Sequence, residues 1–337
     1  MSTLEHIVRD WPWPLKMSIL FVALFFFLVV VTVSALIFLR VYKIRRERRK
    51  KSFQHNIDTF LNNCLFDDMF DFKKEAQVFK TQHLASVLQR KIAIKQVLVY
   101  NENLKGESSL VLRSIFHELE LDKFVLNSLK KGRWFDKAKA IYVLSELHIR
   151  ESKAVACYLN DKHESVRAQA IYFFIKTAEN NPLIFFTKLK KELTLWELIQ
   201  IENSLKFVYK GPTSDFSIWL NHKLSTVLIF SIRMIQQFNQ FEHIPAIVPF
   251  LIHPNEYVRK EAVSSLRKLN YDKLLDEVVP RYSHESRLVK KEIIKAVESL
   301  GDLSILHKLK PVLAKKEEWQ TNLMYLRAEK RMQLHQP

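Results

Sequence analysis

The stretch VRKEAVSSLRKL at residues 258–269 returns as VKKEIIKAVESL at residues 289–300, 31 positions on. In both, apolar residues recur at three- and four-residue spacing, the period of a helix that buries one face. The same shift carries along the chain. The first apolar anchor of each long helix falls at Trp134, Val166, Trp196, Val227, Val258, Val289 and Trp319. A second column keeps step with it at Leu129, Leu159, Leu189, Leu220, Leu251, Tyr282 and Leu313. Pro249, Pro280 and Pro311 stand two residues before its last three members.

Each unit reads as a longer helix, a tight turn and a shorter helix. Turn chemistry falls where that pattern needs it: Asn180-Asn181-Pro182, Gly211-Pro212, His253-Pro254-Asn255 and Leu300-Gly301-Asp302. Proline in a first helical turn gives up an N–H that would be unpaired anyway. A unit of this length cannot bury its apolar face alone, so successive units stack around one continuous core. Only four glycines and ten prolines occur in 337 residues, which disfavours a many-turned β architecture.

The segments 161–170, DKHESVRAQA, and 253–262, HPNEYVRKEA, each carry a polar turn, then Val-Arg, then a small residue four after the valine. His284 to Ile293 follows the same pattern with Lys290 in place of arginine. In these features the chain resembles the HEAT-repeat family, in its short bacterial form with units of about thirty residues, the type also found in bilin lyases. The resemblance covers roughly residues 133–334 and weakens at the units led by Trp196 and Val227. It implies an α-solenoid of helical hairpins, with Arg167 and Arg259 bridging turns between stacked repeats and pairing with acids such as Asp161. Residues 53–132 are helical in pattern, as in SLVLRSIFHELEL at 109–121, but their period is blurred. They read as degenerate repeats or a cap.

Met17 to Leu39 is an uninterrupted uncharged stretch, MSILFVALFFFLVVVTVSALIFL. Roughly 20 apolar residues suffice to span a bilayer as a helix. A cleaved signal peptide has a shorter apolar run preceded by positive charge. Here the run is longer and the charge follows it, so the segment reads as an uncleaved transmembrane helix. Arg40, Lys43, Arg45, Arg46, Arg48, Arg49, Lys50 and Lys51 come directly after it, with Glu47 the one acid among them. The positive-inside bias then puts the N terminus outside and everything after Leu39 in the cytoplasm. These eight cations read as facing lipid headgroups, and Trp11 and Trp13 as belt residues at the opposite surface.

The expected architecture is therefore all-α, a single N-terminal transmembrane helix followed by a solenoid of HEAT-like hairpins. Its parts are a short extracytoplasmic tail (1–16), the span (17–39), a basic juxtamembrane segment (40–52), the helical N-terminal part of the solenoid (53–132) and the HEAT-like repeats (133–334).

The formal net charge is +17, and residues 1–51 alone supply ten Lys/Arg against three Asp/Glu. Much of the excess is thus local, and a nucleic-acid partner is not demanded by it. Two cysteines, Cys64 and Cys157, make no disulfide framework and suit a reducing compartment. There is no phosphate-cradling glycine loop, HExxH or paired CxxC, so no catalytic, cofactor or metal site is expected. His163, His253 and His284 read as polar turn residues capping the next helix. Cys157, two residues before Leu159, reads as a small core residue. Trp134, Trp196 and Trp319 fall at the packing register and read as core. Trp219 is off that register and is the candidate for an exposed partner contact.

A tethered solenoid without catalytic residues reads as a cytoplasmic-face scaffold in the lipid bilayer that holds a membrane-associated protein. The layout is similar to that of bacterial proteins accompanying membrane glycosyltransferases in envelope polysaccharide systems. Two other readings stay open: a lyase-like enzyme or enzyme accessory, and a HEAT-like binder of nucleic acid.

Overall fold

The computed structural model describes residues 12–67, 70–104, 106–310 and 319–334. Trp11, Pro311 and Leu313 lie outside the described residues. Sixteen α-helices joined by turns and short 3-10 segments make up the described residues, and no strand occurs among them. The chain forms two compact units, residues 1–127 and 128–337.

The first unit begins with one 54-residue helix, α1 (Trp13–Phe66). Pro14 sits in its first turn, where a missing N–H costs nothing. From Ile19 to Leu39 most of its large apolar side chains are exposed. It is the one described helix long and apolar enough to cross a membrane. The helix does not break at the basic run. It continues until Phe53, Ile57, Phe60 and Leu61, spaced i, i+4, i+7, i+8, turn one face into the core of the unit. That face meets α3 (Val87–Asn103), where Gln96 donates to Asp58 Oδ1 at 2.6 Å and Tyr100 to Asn62 Oδ1 at 3.0 Å. Between them lies α2 (Phe72–His83), whose Phe79 ring stacks on Phe60 at 4.5 Å. After α3 come α4 (Glu107–Glu118) and α5 (Leu121–Lys131). At 1.5 Å per residue, residues 40–52 set the core of this unit about 20 Å beyond the end of the apolar stretch.

The second unit repeats one plan. Its long helices are α6 (Trp134–Glu146), α8 (Glu164–Lys176), α9 (Leu195–Phe207), α10 (Ser225–Gln237), α12 (Glu256–Lys268), α14 (Arg287–Leu300) and α16 (Trp319–Leu334). Neighbours pack side by side, α6 on α8, α8 on α9, α10 on α12, α12 on α14 and α14 on α16. The intervening short elements are α7 (Ser152–Ala156), α11 (Ile244–Ile247), α13 (Leu274–Val278), α15 (Leu303–Lys308) and 3-10 turns such as Ile184–Lys188 and Ser217–Trp219. Leu129, Leu159, Leu189, Leu220, Leu251 and Tyr282 are all buried, so this column forms the core of the short layer.

Several long helices close in the same way. His148, Asn239 and Asn270 take a left-handed conformation, with φ of 51–53°, directly past α6, α10 and α12. The following residue donates back five positions, Ile149 N to Leu144 O, Gln240 N to Ile235 O and Tyr271 N to Leu266 O, at 2.9–3.0 Å. This satisfies helix-end carbonyls that would otherwise be orphaned.

Candidate partner-binding surface

The burial of the long helices fixes their register. Val166, Val227, Val258 and Val289 are fully buried, each three residues after its helix N-cap. The three tryptophans in the same sequence column are not: Trp134 is 48% exposed, Trp196 64% and Trp319 62%. They are a correction to the sequence reading, and the caps give the reason. Arg133 caps α6 and Thr194 caps α9, so the residues equivalent to Val166 are Asp136 and Glu197. In α16 the position belongs to Thr321, which is fully buried ahead of Tyr325 and Ala328. Each tryptophan stands one or two residues too early, in the first turn of its helix. Because the register position is polar in these units, the nearest large apolar residue mimics the anchor.

Trp219 is reversed in the opposite sense. It is 6% exposed and lies edge-on to Phe186 at 5.3 Å, with Phe230 also edge-on to that ring at 5.7 Å. The short element of this unit is a single 3-10 turn, and the indole occupies the core beside it. Cys157 is exposed, together with Ile218 and Pro249 in the same column. Two residues along a helix turn the side chain by roughly 200–240°, so the position two before a buried leucine faces out.

What results is a row of exposed apolar side chains near the starts of long helices: Trp134 and Phe135 on α6, Leu195, Trp196 and Ile199 on α9, and Tyr257 on α12. The Trp134 indole is held by stacking on the His163 imidazole, with centroids 3.9 Å apart and planes at 10°. His163 therefore supports an aromatic residue and makes no side-chain cap. Turn capping is done one position class away. Asp161 Oδ1 accepts from His163 N at 2.8 Å, His222 Nδ1 from Leu224 N at 3.1 Å, and His253 Nδ1 from Asn255 N at 3.1 Å. His222 also lies 3.2 Å from the Phe186 carbonyl through Nε2, which suits the neutral ring with its proton there.

Ion pairs tie neighbouring units beneath this row. Arg167 Nε donates to Glu197 Oε1 at 2.8 Å and Nη1 to the Asp161 carbonyl at 3.0 Å. Asp161 thus serves Arg167 with its backbone, and the acid partner is Glu197. Arg259 repeats the arrangement, donating to Glu285 at 2.9 Å and to the His253 and Pro254 carbonyls. Arg233 binds Glu261 through two parallel bonds of 2.9 and 3.0 Å. Glu192 accepts from Ser225 N, Thr226 N and Thr226 Oγ1. Burial pushes the Glu192 carboxyl up, but these donors outweigh it and hold the group below its ordinary range. Sequence reasoning missed Glu197, Glu261 and Glu285 because acids at those positions look like ordinary solvated helix or turn residues.

On α1, Arg40 to Lys51 form the predicted cationic segment, and Glu47 pairs with Lys50 at 2.6 Å. That contact holds the Glu47 carboxyl below its usual value.

Residues 220–323 match the family model of HEAT repeats. A search of the curated proteins finds no match. Among solved structures, a crystal structure of an engineered protein is 14% identical, covering 71% of this chain and 97% of its own at a TM-score of 0.26. A computationally designed self-assembling cyclic homo-oligomer is 15% identical, covering 86% and 96% at a TM-score of 0.14.

Proposed function

We propose that this chain is a membrane-anchored scaffold whose repeat unit grips a protein partner through the exposed aromatic row of α6, α9 and α12. The observation that carries the reading is that row. Large apolar side chains stand in solvent at the starts of these helices, while Glu197 and Val258, three past their caps, are buried and Asp136 is half-buried. Exposed aromatic residues supply most of the energy in protein–protein contacts, and HEAT repeats generally mediate such contacts. Anchoring is supported by the length and apolar character of α1, and the basic run from Arg40 to Lys51 favours the cytoplasmic side for both units. Those cations then lie against anionic headgroups, each contributing about 1 kcal/mol of attraction near the surface. A membrane glycosyltransferase of an envelope polysaccharide system is the partner class to look for first.

The reading is tested by site-specific photocrosslinking in native membranes from Trp196 and Trp134, beside an exposed control such as Lys223 outside the row. Adducts from the two row positions that share one protein, absent from the control, support it. Equal adduct patterns from all three positions would sink it. Digestion of the repeat unit by protease added from the exterior would overturn the orientation.

A further inference from the structure

The helix α16 carries its more apolar side outward. Toward α14 it buries Thr321, Tyr325 and Ala328. Toward solvent it presents Trp319, Leu323, Leu326 and Leu334. Residues 319, 323 and 326 follow the i, i+4, i+7 spacing of one helical stripe. The exposed charges beside the stripe are of one sign: Arg327, Lys330 and Arg331. The helix's own acid, Glu329, is turned back to His307 Nε2 at 3.1 Å and the Tyr325 hydroxyl at 3.4 Å. Arg331 reaches Glu298 at 2.8 Å and still leaves most of its side chain in solvent.

An apolar stripe with a tryptophan at one end and, among the described residues, only cations exposed along its flank fits an interface between anionic headgroups and acyl chains. A second copy of the chain fits poorly, because pairing two such faces brings like charges together. We propose that α16 docks on an anionic lipid surface, with Trp319, Leu323 and Leu326 entering the headgroup layer and Arg327 and Lys330 on lipid phosphates. The proposal rests on the anchoring reading above, which keeps a bilayer permanently at hand and raises its effective concentration.

The test is hydrogen exchange of the full chain reconstituted in nanodiscs of phosphatidylcholine alone or with about one third phosphatidylglycerol. Amides of residues 319–334 are expected to exchange about tenfold more slowly in the anionic discs, with the gain lost at high salt. The pair Arg327→Glu and Lys330→Glu, both at exposed positions, should abolish the gain and leave α14 unchanged. Equal exchange in the two discs overturns the proposal. Protection that follows protein concentration regardless of lipid also overturns it and assigns the face to a second copy, and protection that appears only when a protein is added assigns it to that protein. Carbonate extraction separates the two readings. A chain that washes out overturns the anchor itself, and a chain that stays without lipid-dependent protection overturns only the docking of α16.

Discussion

Arg167 and Glu197 sit on successive long helices, 30 residues apart in sequence, and their side chains meet at 2.8 Å with Glu197 almost wholly buried. The carboxylate is shared. One oxygen takes the guanidinium of the preceding unit, and the other accepts from Thr194 N and Oγ1 to cap its own helix.

Removing one partner therefore strands the other. Glu197→Ala should cost about 3–5 kcal/mol, as expected when a buried pair loses one charge. For a unit of this size each kcal/mol lowers Tm by about 2–4 °C. Thermal melts should show the double variant Arg167→Met/Glu197→Met recovering much of the loss, short of the ~1 kcal/mol contributed by the lost cap. A double variant as unstable as Glu197→Ala would contradict the pairing.

The two best-placed tryptophans should separate stability from binding. Trp219→Ala should destabilise by about 3–5 kcal/mol, since it empties core volume beside Phe186. Trp196→Ala should stay within about 0.5 kcal/mol, as surface changes usually do. Partner crosslinking should fall in the reverse order, measured on protein shown folded by circular dichroism.

Much of this was legible and the errors are instructive. The second column, from Leu129 to Tyr282, is buried because leucine there has no polar competitor. The first column slipped wherever its register residue is Asp136, Glu197 or Thr321, since a hydrophobic search passes over a polar group and settles on the tryptophan beside it. Trp219 and Cys157 were misplaced for a related reason. The 31-residue period fixes which residues are equivalent, but not which way a shortened 3-10 turn points them. The acids facing Arg167, Arg233 and Arg259 are recognisable only after the helices are stacked.

Acid should loosen the contact between the loop before α9 and the first turn of α10 at a defined place. Glu192 titrates below its ordinary value when folded, so its contribution is fully present above the unfolded pKa, near 4.5. It is lost as pH falls through the lower folded value. Melts between pH 7 and pH 3 should therefore be flatter in Glu192→Gln than in the parent chain. Identical slopes would remove Glu192 from the acid transition.

The two thiols should differ sharply in reactivity. Burial against apolar neighbours pushes Cys64 up to about 12, so it stays protonated and slow toward maleimide at neutral pH. Cys157 is exposed on the short layer. Mass spectrometry should find one label per chain under native conditions, at Cys157, and two after denaturation. Rapid labelling of Cys64 in folded protein would show that α1 is not packed as described.

The unbroken course of α1 has a mechanical consequence. Membrane helices tilt by about 20° on average, and more when their apolar stretch exceeds the local bilayer thickness. From Leu39 to Phe66 the helix runs about 40 Å, so a 20° tilt carries its far end about 14 Å sideways. Inserting one residue near Lys51 would swing the packed face by about 100° about the axis. A thin bilayer and a thick one would thus hold the first unit at different lateral positions. Under the proposed anchoring, α1 acts as a lever through which membrane thickness sets where the first unit can reach.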